Sequence, residues 1–138
     1  MCPRRTLRRC ALALFLSFAT HSQVVAQTSA SAGWQATPAS MLKNALRAVT
    51  AAQLRFHQEK KTYAASAEAL ALQPERDVQV QVLAAGPNGW QARAVHRQQP
   101  GKSCVIFVGT VDGVESPRTD ADREMAGEEG VPLCDWMR

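Results

Sequence analysis

In the 138-residue chain, the residue types able to carry chemistry are few once position is considered. Two cysteines, Cys104 and Cys134, and two histidines, His57 and His96, lie beyond the first thirty residues, together with a run of acids near the C-terminus. A thiolate metal site or nucleophile would want a neighbouring His or a second Cys at C-x-x-C or C-x-x-H spacing, and neither spacing occurs. Asp120, Asp122 and Glu124 alternate like the opening of a calcium loop. Such a loop needs Gly at its sixth position and Glu at its twelfth, where this sequence has Met125 and Val131. His57 and His96 have no carboxylate or cysteine at supporting spacing, so the reading is a packed or surface histidine, not a ligand or general base. The serines sit in no nucleophile-elbow context, and no Gly-rich loop opens a helix after a strand. No catalytic residue, cofactor or metal ligand is assigned.

The first residues set the compartment in which the cysteines are read. Arg4, Arg5, Arg8 and Arg9 precede an apolar run from Ala11 to Ala19, and Val24-Val25-Ala26 follows with signal-peptidase spacing. The apolar run is about half of the ~20 residues a bilayer span requires. A cleavable signal peptide over 1–26 is expected; the arginines fit either general secretory or twin-arginine export. Cys10 precedes the apolar run and so cannot act as a lipobox cysteine. Cys2 and Cys10 leave with the signal, and the remaining cysteines, Cys104 and Cys134, are expected to pair in an oxidising compartment. Closing a loop of about 31 residues implies ~3–4 kcal/mol of stabilisation by the chain-entropy account.

Processing also alters the charge. Four of the sixteen Lys and Arg, and none of the twelve Asp and Glu, precede Gln27, so the remaining chain is 12 minus 12, formally neutral. The basic balance of the whole sequence belongs to the leader, which removes the argument for nucleic-acid binding.

The elements follow from periodicity. Residues 27–36 are small and polar apart from Trp34 and read as a flexible lead-in. Thr37-Pro38 opens a helix, along which Leu42, Ala45, Leu46, Val49, Ala52 and Phe56 recur at helical spacing. A shorter helical stretch is expected from Ser66 to Leu72, stopped before Pro74. Val78, Val80 and Val82 alternate with Gln79 and Gln81 in a strand. Gly86-Pro87-Asn88-Gly89 turns the chain into an alternating run from Trp90 to Arg97, forming an antiparallel hairpin. Ser103 to Val108 is the most apolar run and the expected central strand. Beyond Gly109 the chain reads as an irregular acidic loop, too polar and Gly-rich to form core. The fold class is α+β over 37–138: one long N-terminal helix on a three- to four-stranded antiparallel sheet with a disulfide-closed C-terminal loop.

Several short stretches resemble the globular head of type IV pilins and pseudopilins. Ala51-Ala52-Gln53 with Phe56, then Lys61-Thr62-Tyr63-Ala64, is similar to the region where the amphipathic half of the pilin helix ends. Gly89-Trp90 with Ala92, Ala94 and His96 resembles the family's second strand, and Lys102-Ser103-Cys104 with Ile106, Val108 and Gly109 its third. Glu129-Gly130-Val131-Pro132 with Cys134-Asp135 resembles its closing loop. The likeness spans roughly residues 43 to 135. A prepilin also carries a Gly followed by about twenty apolar residues with Glu at the fifth position, and that segment has no counterpart in this sequence.

The resemblance therefore implies an exported, non-enzymatic pilin-like module in the periplasm or outside the cell. It would be monomeric or weakly associated and would form no filaments. Its expected partner is another envelope protein, such as a pilus or type II secretion component; nucleic acid and, after signal cleavage, a membrane span are not expected. Asp112, Glu115, Asp120, Asp122, Glu124 and Glu128 form the candidate interaction surface, with the edge of the Val78 to Ala84 strand as a second. The alternative is a periplasmic protein binding a small ligand or metal ion; an enzyme would require acids of the C-terminal loop to meet His96 in one cleft.

Overall fold

The computed structural model describes residues 36–137; the expected signal peptide and all but the last residue of the lead-in lie outside them. Helix α1, Pro38–Lys60, runs for 23 residues. The Thr37 side chain accepts from the Ser40 N–H at 3.2 Å, and Pro38 occupies the first turn, where its missing N–H costs nothing. Lys61 ends the helix in a left-handed conformation, and its N–H donates to the His57 carbonyl. No helix among the described residues is long and apolar enough to cross a membrane.

The expected second helix is reduced to a 3₁₀ turn, Glu68–Leu70, ended by Ala71 at φ 47°. Its one buried residue, Leu70, supplies too little apolar surface to hold a longer helix, whose nucleation is costly.

Four strands follow: β1, Val78–Ala85; β2, Gly89–His96; β3, Ser103–Gly109; and β4, Leu133–Cys134. They form one antiparallel sheet in the order β1-β2-β3-β4. At the β2–β3 end, Gly109 has φ 64°, and any Cβ there would collide with the Asn88 carbonyl oxygen, so the position demands glycine.

One face of the sheet carries α1. Trp90, Ala92 and Ala94 of β2 alternate with residues of the other face and meet Cys104 and Ile106 of β3; all five join Leu42, Leu46, Val49 and Ala52 in the main core. The alanines let the helix approach the middle of the sheet, while Trp90, 1 % exposed, fills one end.

The opposite face of β2 and β3 is also covered. Val105 and Ser103 are fully buried there, beneath the chain that returns from Gly109 to Cys134. Within that return, the Ala126 N–H donates to the Pro117 carbonyl, the Thr119 N–H to the Glu124 carbonyl, and Arg118 bridges Met125, making a small hairpin turned through Arg123 at φ 59°. Ala126 and Thr119 are buried at 3 % and 1 % exposure. This corrects the expectation that the acidic segment forms no core: most of its acids are exposed while Thr119 and Ala126 seal the far face of the sheet. The disulfide joins Cys104 to Cys134, which are direct cross-strand partners in β3 and β4.

Candidate interaction surface

The return segment is held by buried polar contacts. The Asp135 carboxylate, on a residue 2 % exposed, accepts from the N–H groups of Ser103 at 2.7 Å, Ala121 at 3.0 Å and Asp122 at 2.8 Å. Burial alone would raise its pKa. The N–H groups of Ala121, Asp122 and Ser103, with the Thr119 hydroxyl, outweigh that cost and hold it below the ordinary aspartate value. Ser103 completes the junction, its hydroxyl accepting from the Asp120 N–H at 2.9 Å.

Further out, the Gln91 side-chain amide donates to the Glu115 carbonyl at 2.7 Å. One guanidinium nitrogen of Arg93 reaches both carboxylate oxygens of Asp120, at 2.8 and 3.0 Å. Glu129 caps the β3 end by accepting from the Gly109 N–H at 2.8 Å. Gln91 and Arg93 alternate with the alanines of β2, so a single strand supplies both the bed for the helix and the anchors for the return segment.

The six acids of the candidate surface therefore do different work. Asp120 is partly buried against Arg93, and the Asp122 carboxylate accepts from the Trp136 N–H at 3.1 Å. Those two carboxylates turn to separate partners and do not converge as calcium ligands would. Asp112, Glu115, Glu124 and Glu128 are exposed on the turns between the anchors, and Glu115 meets Arg118 only at 3.9 Å, a pair of little energetic weight. Exposed Val114, Met125 and Val131 are interspersed with them in sequence. Beside the segment's end stands Trp136, 64 % exposed, with the Lys102 ammonium 5.4 Å from its ring centroid and donating to its carbonyl.

The histidines lie elsewhere. His57 stacks on Tyr63 with centroids 4.4 Å apart. His96 is buried, and its Nδ1 accepts from the Gln98 N–H. By strand alternation His96 belongs to the helix-facing side, whereas the acidic segment covers the other, so the sheet separates it from those carboxylates. No cluster of three His, Cys, Asp or Glu side chains suited to a metal occurs among the described residues.

Three positions that the sequence offered only as part of the pilin resemblance hold structural contacts that no local pattern assigned to them. Gln53, fully buried on α1, donates to the Ala64 carbonyl and accepts from the Ala64 N–H, both at 2.8 Å, tying the helix to the chain that leaves it. Its place on the apolar stripe, one residue after Ala52, was the available signal. The others are Asp135 and Glu129, whose partners are backbone groups distant in sequence.

A groove of about 390 Å³ lies between α1 and β1, with Ala45 and Ala48 on one side, Ala67 and Ala71 on another, and Val78 and Val80 below. Asn44, Glu68 and Gln73 provide polar groups along it.

Neither the protein-family models nor the curated proteins include one that matches this sequence.

Proposed function

We propose that the protein is an exported, non-enzymatic module with a pilin-like head that binds another envelope protein through the acidic side of its sheet. The observation that carries this reading is the anchoring of the acidic segment. Asp135, the Cys104–Cys134 bond and the Arg93–Asp120 pair fix its backbone, while Asp112, Glu115, Glu124 and Glu128 stay exposed. Ordering before contact removes an entropic cost of association, and the fixed negative charges favour a basic counterpart. Export rests on the leader pattern of residues 1–26, and the pilin-like reading on the order of the short motifs from Lys43 to Asp135, set on a helix and an antiparallel meander.

The test is capture from an envelope extract with the mature domain as bait. A variant carrying Asp112→Lys, Glu115→Lys, Glu124→Lys and Glu128→Lys should lose the captured protein without a change in melting temperature, since exposed charges contribute little to stability. Equal capture by both baits would overturn the surface assignment.

A second reading, a periplasmic small-ligand protein, is favoured by the groove beside β1, whose volume of about 390 Å³ falls within the range of small-molecule sites. It predicts several degrees of stabilisation by an amphipathic metabolite in a thermal-shift screen.

A further inference from the structure

The outer edge of β1 has a property that neither the acidic surface nor the groove uses. The Arg97 N–H donates to the Asp77 carbonyl, so the next backbone donor, the Val78 N–H, points away from β2; it is taken up by the Glu75 carbonyl at 3.3 Å. From there the alternation is fixed. Gln79 and Gln81 turn their backbone groups toward β2, opposite Val95 and Arg93, and Val78, Val80 and Val82 turn theirs toward the open edge. Among the described residues no strand pairs with that edge.

The regular part of the edge is short and symmetric. It begins after Asp77, which at φ 62° breaks the extended chain, and ends at the irregularity between Val82 and Ala84. Between them the sequence is Val-Gln-Val-Gln-Val, identical in either direction about Val80. The usual protections of an edge, a lysine, a proline or an inward charge, do not occur from Val78 to Ala85.

We propose that this edge pairs with the same edge of a second copy, antiparallel about a two-fold axis at Val80. Val80 then faces Val80 of the other copy in a hydrogen-bonded pair, Val78 faces Val82, and Gln79 faces Gln81. Each opposition is like with like: β-branched side chains meet on the helix side, where the groove opens beside Val78 and Val80, and neutral amides meet on the other. No two like charges face each other. Such a contact is isologous and closes at two copies, joining two four-stranded sheets without propagating a filament. Five residues per copy bury little area, so the association is weak and concentration-dependent. The inference depends on the edge alone and stands or falls separately from the envelope-partner reading.

Sedimentation of the exported protein from about 10 μM to about 1 mM, a range suited to a small interface, tests it. The mass should rise toward twice the monomer value. Gln79→Lys with Gln81→Lys opposes lysines across the axis and should hold the mass at the monomer value, with α1 and the sheet intact by circular dichroism. The register has its own readout. On the exposed face, Gln79 and Gln81 of the other copy form a non-hydrogen-bonded pair, close enough for a disulfide. An oxidised equimolar mixture of Gln79→Cys and Gln81→Cys proteins should therefore yield a covalent dimer that neither forms alone. Monomer mass at every concentration, a dimer that survives the paired lysines, or equal cross-linking by the single variants alone would overturn the proposal.

Discussion

The Asp135 carboxylate lies 2.7 Å from the backbone nitrogen of Ser103, linking the residue that follows β4 to the first residue of β3. The N–H groups of Ala121 and Asp122 complete its shell, so one side chain gathers two distant stretches of backbone around a negative charge.

Loss of that charge should loosen both stretches. Because the folded-state pKa is lowered, Asp135 contributes stability that is fully present above the unfolded value of about 3.9 and is lost as pH falls through the folded value. Asp135→Asn should flatten the fall in melting temperature below about pH 4. At pH 7 it should cost about 2–3 kcal/mol, because an amide cannot accept from all three N–H groups, lowering the melting temperature by on the order of 10 °C or more. Thermal melts of the two proteins across pH check both outcomes.

Gln53→Leu keeps the volume on the helix face but leaves the Ala64 N–H and carbonyl without their partner in a buried setting. We expect a loss of about 2–4 kcal/mol in chemical denaturation, larger than for an exposed helical position such as Leu54→Gln. A loss below about 0.5 kcal/mol, the range of ordinary surface changes, would show that the clamp contributes nothing.

Replacing Cys104 and Cys134 with alanine should cost about 3–4 kcal/mol through release of the return segment. The helical circular-dichroism signal should persist, because α1 is buried mainly by residues of β2 and β3. Hydrogen exchange should quicken across residues 110–137 more than in β1 or β2; equal acceleration everywhere would contradict the division into a helix-and-sheet unit and a strap tied across it.

Much of this arrangement was legible in the sequence where local pattern determines it. The apolar stripe from Leu42 to Ala52 specified α1, and the Val-Gln alternation specified β1 together with its burial pattern. Cys104 and Cys134 pair as compartment and count implied. The return segment was illegible for a physical reason. Its order comes from Asp135, Ser103 and Arg93 meeting backbone or side-chain groups at least thirteen residues away, and neither composition nor period carries such contacts. Its Gly and acid content described only its exposed side. For the same reason Asp120 and Asp122 looked like free surface charges, although both have structural partners. The stretch from Ser66 to Leu72 had helical spacing but only Leu70 fully buried, with Leu72 half-buried, so the tertiary context left a single 3₁₀ turn.

Processing has a direct readout. If Val24 and Ala26 direct signal cleavage, the exported species begins at or beside Gln27, and its intact mass corresponds to residues 27–138 less two hydrogens for the disulfide. Recovery of the full-length chain from the membrane fraction would contradict the leader reading.

Recognition of an envelope protein by the anchored acidic segment, as proposed, is tested by the binding of the captured partner, once identified, to the purified mature domain at several salt concentrations. Binding should be saturable, weaken as salt rises and fall at least tenfold when Asp112, Glu115, Glu124 and Glu128 are reversed to lysine, with the melting temperature of the domain unchanged. Binding that is indifferent to salt and to those four reversals would contradict it.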